Sequence, residues 1–400
     1  MKAAKTIAIL MALPLLLTCE LFSGPYDREN PKDPLNPNYA GWFGITTVDS
    51  TNDVGMYPSM KVSGAKVFIS YFDTTSGHTK FANSSDGAIT WATKQVDVSA
   101  NTAGNPSALA IRPNGSLFDI AVVYQDLNNL HAKKSPDSGV TWADPATMQP
   151  HHSASTVLHH CSLAAGTGTD DTYYASYYAQ GAVGGKLWFA KSSAGGGDWS
   201  AGTGVDLATE DVGKFNSIAV SGKAVFIAYQ NSTSGKIVMT NMITGETGWK
   251  MPPVPVGNTS ATTLGGTSVA ATDAANVYVV YFDDFANLAF AKSSNGGGSF
   301  FAPSVVNSSA GISPSIAISA GAIYVSHFHA ASGDLLFTRS DDLGATWINP
   351  PVVVDKGLGP NQSGKSTSIA VDGTSVYIAY YDATNGDLKV AKSIDNGDTW

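Results

Sequence analysis

Arginine is nearly missing from this sequence. The 400 residues contain three, Arg28, Arg112 and Arg339, and all charged side chains together make up only 14%. Lys plus Arg is 23 against 32 Asp plus Glu, a net charge of -9. The basic footprint that neutralises phosphates is therefore absent, which disfavours nucleic acid and acidic membrane surfaces as partners. Glutamate is as scarce, at Glu20, Glu29, Glu210 and Glu246. Two cysteines, Cys19 and Cys161, allow at most one disulfide. Helical periodicity of any length is lacking, as is any phosphate loop or nucleotide fingerprint, so no cofactor is expected. His151, His152, His159 and His160 crowd one stretch and His327-Phe-His329 forms another. Their spacing fits no closed metal site, and solvated loop histidines are the expectation. What remains is a turn-rich chain: Gly 41 and Pro 19 are 60 of 400 residues, or 15%, against a usual share of about 12%. Its 43% hydrophobic content supports a sizeable core and excludes general disorder.

The first segment reads as an address. Lys2 and Lys5 precede an apolar stretch from Thr6 to Leu17, too short to span a bilayer as a stable helix and suited to a cleaved export signal. Leu16-Leu17-Thr18-Cys19 resembles the bacterial lipobox, although Thr18 stands where Gly, Ala or Ser is usual. The resemblance implies that residues 1–18 are a signal peptide and that Cys19 carries lipid, which leaves Cys161 without a disulfide partner. Pro25, Pro31, Pro34 and Pro37 fall among Asp, Asn and Lys in the next stretch. Such a composition stays extended, so residues 19–40 are expected to tether a domain to a bacterial membrane.

From residue 41 onward a repeat governs the chain. The last copy reads Thr367-Ser-Ile-Ala-Val-Asp-Gly, Val376-Tyr-Ile-Ala-Tyr-Tyr-Asp382, Gly386-Asp-Leu-Lys-Val-Ala-Lys392, then Ser393 to Trp400. A terminal aromatic recurs at Trp91, Trp142, Trp199, Trp249, Phe300, Trp347 and Trp400, with Trp42 in the equivalent place before the first copy. The 358 residues from Trp42 to Trp400 divide into seven units of about 51, a propeller period. Three apolar runs and a weaker fourth per unit predict an all-β fold: a seven-bladed β-propeller of four-stranded antiparallel blades. The second run is apolar on both faces, as a strand sandwiched between blades requires. The first is rich in small residues, suited to crowding around an axis. Trp400 has no fourth strand after it, and Trp42 to Val48 looks like a fourth strand with no blade before it. Placing that strand on the last blade would close the ring; the alternative is a reading frame that continues past residue 400.

Ser135-Pro-Asp137-Ser-Gly139-Val-Thr141-Trp142, Ser340-Asp-Asp342-Leu-Gly344-Ala-Thr346-Trp347 and Ser393-Ile-Asp395-Asn-Gly397-Asp-Thr399-Trp400 match S-x-D-x-G-x-T-W. They resemble the Asp box of bacterial neuraminidase repeats. Ser293 to Phe300 is a variant with Asn295, and Ser84 to Trp91 has Ala88 in place of the glycine. The physics of the motif is structural: the Asp accepts backbone hydrogen bonds, the Gly permits positive φ and the Trp packs between sheets. The resemblance implies a sialidase-like fold over residues 41–400. It also implies a chemical face opposite the Asp boxes, where second-to-third and fourth-to-first connections lie.

Sialidases clamp a substrate carboxylate with three arginines and use a Tyr–Glu pair with an Asp acid/base. None of the three arginines here falls on the chemical face, the Arg-Ile-Pro signature is missing, and only Glu210 faces it, so no catalytic residue is assigned. The expectation is a surface-anchored, non-catalytic lipoprotein that binds glycans or a cell-envelope or host protein. It would touch the membrane only through the lipid on Cys19 and act as a monomer without metal. The alternative is an exo-acting sialidase-like glycoside hydrolase using Asp, Glu and Tyr of that face, and a purely structural envelope protein is a third reading. Second-strand ends repeat an aromatic-x-Asp pattern suited to blade-end turns or to paired hydrolase carboxylates. Candidate ligand residues are Tyr57, Tyr71, Asp73, Tyr124, Asp126, Tyr178, Tyr281, Asp283 and Tyr381, together with His159, His160, Glu210, Asp211, Asp284 and His329, which are read as breaking the repeat.

Overall fold

The computed structural model describes residues 43–97, 106–125, 130–144, 158–180, 184–192, 194–206, 209–245, 248–259, 266–308, 311–329, 331–356 and 366–400. They form seven antiparallel sheets arranged as a β-propeller, with one 3-10 turn at Ala194–Gly196 and no α-helix among the described residues. Blades I to VII begin at the innermost strands Val54–Ser63, Ser107–Asn114, Leu158–Ala165, Val212–Ser221, Thr267–Ala271, Ile312–Ser319 and Thr367–Asp372. Six blades have four strands; blade II shows three, with a bridge between Lys134 and Ala143 where a fourth would begin. The strand Gly44–Asp49 pairs antiparallel with Asp387–Ser393, Gly44 opposite Lys392, and so completes blade VII from the N-terminal side.

Three layers of contact join neighbouring blades. At the axis, the first-strand serines are more than small. Ser368 Oγ accepts Met60 N–H at 2.9 Å, and Ser59 accepts Leu109 N–H at 3.0 Å. Ser162, Ser217, Ser268 and Ser315 accept from Ile218, Val269, Ile316 and Ile369 at 3.1–3.2 Å. Each bond satisfies an inner-edge donor that has no strand beside it. Blade II has Ala108 at this position, opposite Val123 as Ser59 is opposite Ser70, and its junction with blade III lacks the bond.

Further out, the second strands are buried on both faces, and their tyrosines lock blades together. The hydroxyls of Tyr71, Tyr229 and Tyr380 donate to Asp49, Asp206 and Asp355 at 2.6–2.8 Å. Each of these aspartates ends the fourth strand of the preceding blade.

On the lower face, the turns after the third strands of blades II, VI and VII share one geometry. In the first, Ser135 Oγ and Thr141 N–H donate to Asp137 Oδ1, both at 2.8 Å, and Thr141 Oγ1 donates to its other oxygen at 2.6 Å. Ser340/Asp342 and Ser393/Asp395 repeat the pattern. Trp142, Trp249, Trp347 and Trp400 then stand edge-on to Phe81, Phe189, Phe290 and Phe337 of the preceding blade, at 5.0–5.2 Å. The turn glycines lie over the same rings: a Cβ on Gly139, Gly344 or Gly397 would come within 2.2–2.3 Å of Phe81, Phe290 or Phe337. A glycine is required there twice over, by this approach and by φ of 88–90°.

Candidate functional site

The face opposite these turns carries the second-to-third and fourth-to-first connections. Of the residues expected there, Asp126 lies outside the described residues, as do Cys19, His151 and His152; His159 is described only as backbone of its strand. Tyr71, Tyr124 and Tyr281 are 0–5% exposed, so they belong to the blade interfaces rather than to a surface. Asp73, Asp283 and Asp382 close the tight turns after the second strands. Asp73 accepts from the N–H groups of Thr75 and Ser76, Asp283 from those of Phe285 and Asn287, and Asp382 from Thr384. His329 does the same with an imidazole, its Nδ1 accepting from Ser332 N–H at 3.1 Å. These residues hold turns. Beside them, Asp284 and Phe285 reach solvent, Phe285 with 78% of its surface exposed. The sequence signal for Phe285 was available, because the corresponding turns of blades I, IV and VII carry only small or polar residues.

Glu210 and Asp211 do not break the repeat. Thr209-Glu-Asp-Val-Gly-Lys-Phe215 recurs as Thr51-Asn-Asp-Val-Gly-Met-Tyr57, and the two junctions, III/IV and VII/I, are built alike. Tyr178 donates to Asp211 at 2.8 Å and Tyr381 to Asp53 at 2.6 Å. The N–H groups of Asp211 and Asp53 donate to Thr233 and Thr75. Glu210 accepts from Asn231, while the reverse pair joins Asn52 as donor to Asp73. Gly213 and Gly55, both at φ 106°, let the strand pass over the backbone of Leu187 and Leu388, where a Cβ would approach to 2.9 and 2.7 Å.

Two residues after each of these glycines the inner strand bulges, and Phe215 and Tyr57 take φ of 49° and 51°; Ser313 of blade VI does so at 53°. All three lie two positions before the serine of the axial hydrogen bonds. The corresponding tier around the upper mouth is Tyr57, Pro106, His160, Phe215, Gly266, Ser313 and Ser366 in blade order. Rings and bulk occupy blades I to IV, and small residues occupy blades V to VII. At III/IV the mouth is filled: His160 lies 4.3 Å from Phe215 and 6.4 Å from Tyr178, and Lys214 pairs with Asp211 at 2.7 Å above the Tyr178 ring. At VII/I the position of His160 is taken by Ser366, whose buried Oγ has no hydrogen-bond partner among the described residues. Half-buried Tyr57 stands on the adjoining blade. The structure thus brings Tyr57, His160, Tyr178, Glu210, Asp211 and Tyr381 to two like junctions. Sequence reading passed over Lys214, Phe215 and Ser366.

Burial, reinforced by the bonded aspartates, pushes the hydroxyls of Tyr71, Tyr229 and Tyr380 far up, and those of Tyr178 and Tyr381 likewise. A tyrosine nucleophile needs the opposite shift. Tyr57 is raised by burial alone. Asp387, beside the VII/I junction, is raised by burial and by the neighbouring Asp382 charge. Asp382 itself is lowered: burial opposes ionisation, but bonds from Lys389 and Asn385 outweigh it. No group of three or more His, Cys, Asp or Glu is placed to hold a metal ion among the described residues.

No known protein-family profile matches the chain, and no curated protein matches it by sequence. Solved structures do. The polysaccharide lyase PL25 ulvan lyase superposes with a TM-score of 0.57 at 10% identity, over 89% of this chain and 96% of that one. A Hadza microbial sialidase gives 0.52 at 12% identity, over 88% and 68%. The fucose-specific lectin from Aleuria aurantia gives 0.51 at 15% identity, over 78% and 98%. At these identities the likeness is one of fold.

Proposed function

We propose that this chain is a glycan-binding β-propeller whose ligand sits at the upper mouth, at the VII/I junction. The observation that carries the reading is the unequal mouth tier. A pyranose offers an apolar C–H face and a rim of hydroxyls, so its site needs a ring beside polar groups. Tyr57 supplies the ring, and the Asp53 and Asp387 carboxyls supply partners for hydroxyls. The filled III/IV copy shows the same scaffold with that space taken by His160. Lectin, sialidase and polysaccharide lyase propellers share the fold, which supports carbohydrate as the ligand class without choosing between binding and processing. In the same proposal the domain is exported and held at a bacterial membrane by lipid on Cys19, beyond the described residues.

The test is a glycan array on the purified domain, followed by titration of each hit. Tyr57→Ala should lower affinity at least tenfold, while His160→Ala should leave it within about twofold. Hits that survive Tyr57→Ala and are lost with His160→Ala would move the site to III/IV and defeat the proposal. One observation favours a second reading, glycoside hydrolysis: Asp387, its pKa raised by burial and the Asp382 charge, stands beside Asp382, whose pKa is lowered, and acid and base catalysis needs two carboxyls shifted apart in this way. Turnover in a fluorogenic glycoside panel, abolished by Asp387→Asn, would establish it; a silent panel would remove it.

A further inference from the structure

Lys61 is the one large residue in a ring of alanines. It lies two positions beyond Ser59 on the innermost strand of blade I. The axial hydrogen bonds of the serines fix the corresponding residues as Ala164, Ala219, Ala270, Ala317 and Ala370, and strand register gives Ala110 in blade II. Six blades thus use a methyl group where the first uses a butylammonium. The scaffold has no need of it.

The side chain is solvent-exposed, although its strand is flanked by blades II and VII and backed by the second strand of its own blade. The axial space is the side left open to it. Protein nevertheless surrounds the ammonium closely enough for desolvation to lower its pKa, as expected for a cation inside a narrow wet well rather than on an outer surface. Other inner-strand cations are compensated: Lys214 pairs with Asp211 at 2.7 Å, and Arg112 lies near enough to Asp170 to help lower its pKa. Lys61 takes part in no ion pair or hydrogen bond among the described residues. The nearby inner-strand carboxylate of blade VII, Asp372, is spent on the N–H of Gly64. Tyr57 is four residues away along the strand, so the backbone of Lys61 lies at most about 13 Å below that of Tyr57 at about 3.3 Å per residue.

We propose that the axial well of this propeller is an oxyanion site, with Lys61 as the cation that receives a sulfate or carboxylate group. An uncompensated ammonium in such a well gains more from an anion than a surface lysine does, because water screens it less. The site is separate from the glycan mouth and stands or falls independently of it.

The experiment uses the full chain with its lysines reductively dimethylated with ¹³C, a change that keeps their charge. The Lys61 signal is assigned by its loss in Lys61→Met. Sodium sulfate and sodium acetate are the probes, each titrated against sodium chloride at constant ionic strength. The expected result is that sulfate or acetate raises the apparent pKa of the Lys61 signal saturably and leaves the other lysine signals unmoved. Thermal melts of Lys61→Ala and Lys61→Met should be as high as wild type in chloride and should lose the anion-specific increment. A Lys61 signal that ignores both anions overturns the proposal. So does a lowered melting temperature of both variants in chloride, which would make the side chain structural.

Discussion

At the scale of single residues, the internal repeat works as a set of controls. Where the third strand offers Phe81, Phe290 or Phe337, the next blade's turn carries glycine; where it offers Val390, in register with Phe81, the turn carries Ala88. Ala88 is fully buried at φ 72°. Its strain of about 1 kcal/mol is offset by the buried methyl and by the lower entropy of the unfolded chain relative to glycine. Ala88→Gly should therefore leave stability within about 0.5 kcal/mol of wild type. Gly344→Ala should lose about 2–3 kcal/mol, because a Cβ there would stand 2.2 Å from Phe290. Urea midpoints of the two variants decide it; equal losses would mean that the ring contact does not select glycine.

At the scale of strands, blades I, IV and VII are each locked to the preceding blade by a second-strand tyrosine and the aspartate that ends that blade's fourth strand. Blade VI departs from this lock: His327 takes the tyrosine position and Asn307 the aspartate position, with Nε2 and Nδ2 3.2 Å apart and a buried Nδ1 that has no partner among the described residues. Desolvation, aided by His329, pushes the His327 pKa down to about 3 from 6.5. The unfolded chain then binds a proton that the folded chain refuses. This contribution is complete above pH 6.5 and is lost progressively as pH falls toward 3. His327→Tyr with Asn307→Asp should restore the common lock, raise stability by about 1 kcal/mol and flatten the pH dependence of melting between pH 6.5 and 4.5. An unchanged slope would show that some other group sets it. Much of this architecture was legible in advance. The period of about 51 residues, the doubly apolar second strands and the closing N-terminal strand follow from alternation and spacing alone. The roles of the tyrosines did not, because both faces of a second strand are blade interfaces and alternation cannot then separate a core residue from a ligand contact. The Thr-x-Asp-Val-Gly motif occurs in two blades of seven, so averaging over copies hid it, and Glu210 and Asp211 looked like exceptions.

At the scale of the whole molecule, the ring is closed by the segment farthest in sequence from the blade it completes. Gly44–Asp49 lies on blade VII, and its last residue reaches blade I: Asp49 Oδ2 accepts from Tyr71 at 2.6 Å and from Lys80 at 2.5 Å, and Oδ1 accepts from Thr51 N–H. One carboxylate therefore ties the N-terminal strand, the last blade and the first. Burial alone would raise its pKa, but the bonds from Lys80, Tyr71 and Thr51 outweigh that and hold it below 3.8. A carboxylate lowered by folding contributes stability that is whole above its unfolded value and disappears as pH falls through the folded value. Acid should thus loosen the VII/I junction, and with it the proposed ligand mouth. Asp49→Asn keeps the shape and one acceptor but removes the charge from two donors, and should cost about 2–3 kcal/mol near neutral pH. It should also abolish part of the wild-type loss below pH 4, so that the stability curves of the two proteins converge in acid. Measured by denaturant unfolding between pH 3 and 7, parallel curves would show that ring closure does not depend on this carboxylate. A variant as stable as wild type at pH 7 would place the closing energy in the strand pairing alone.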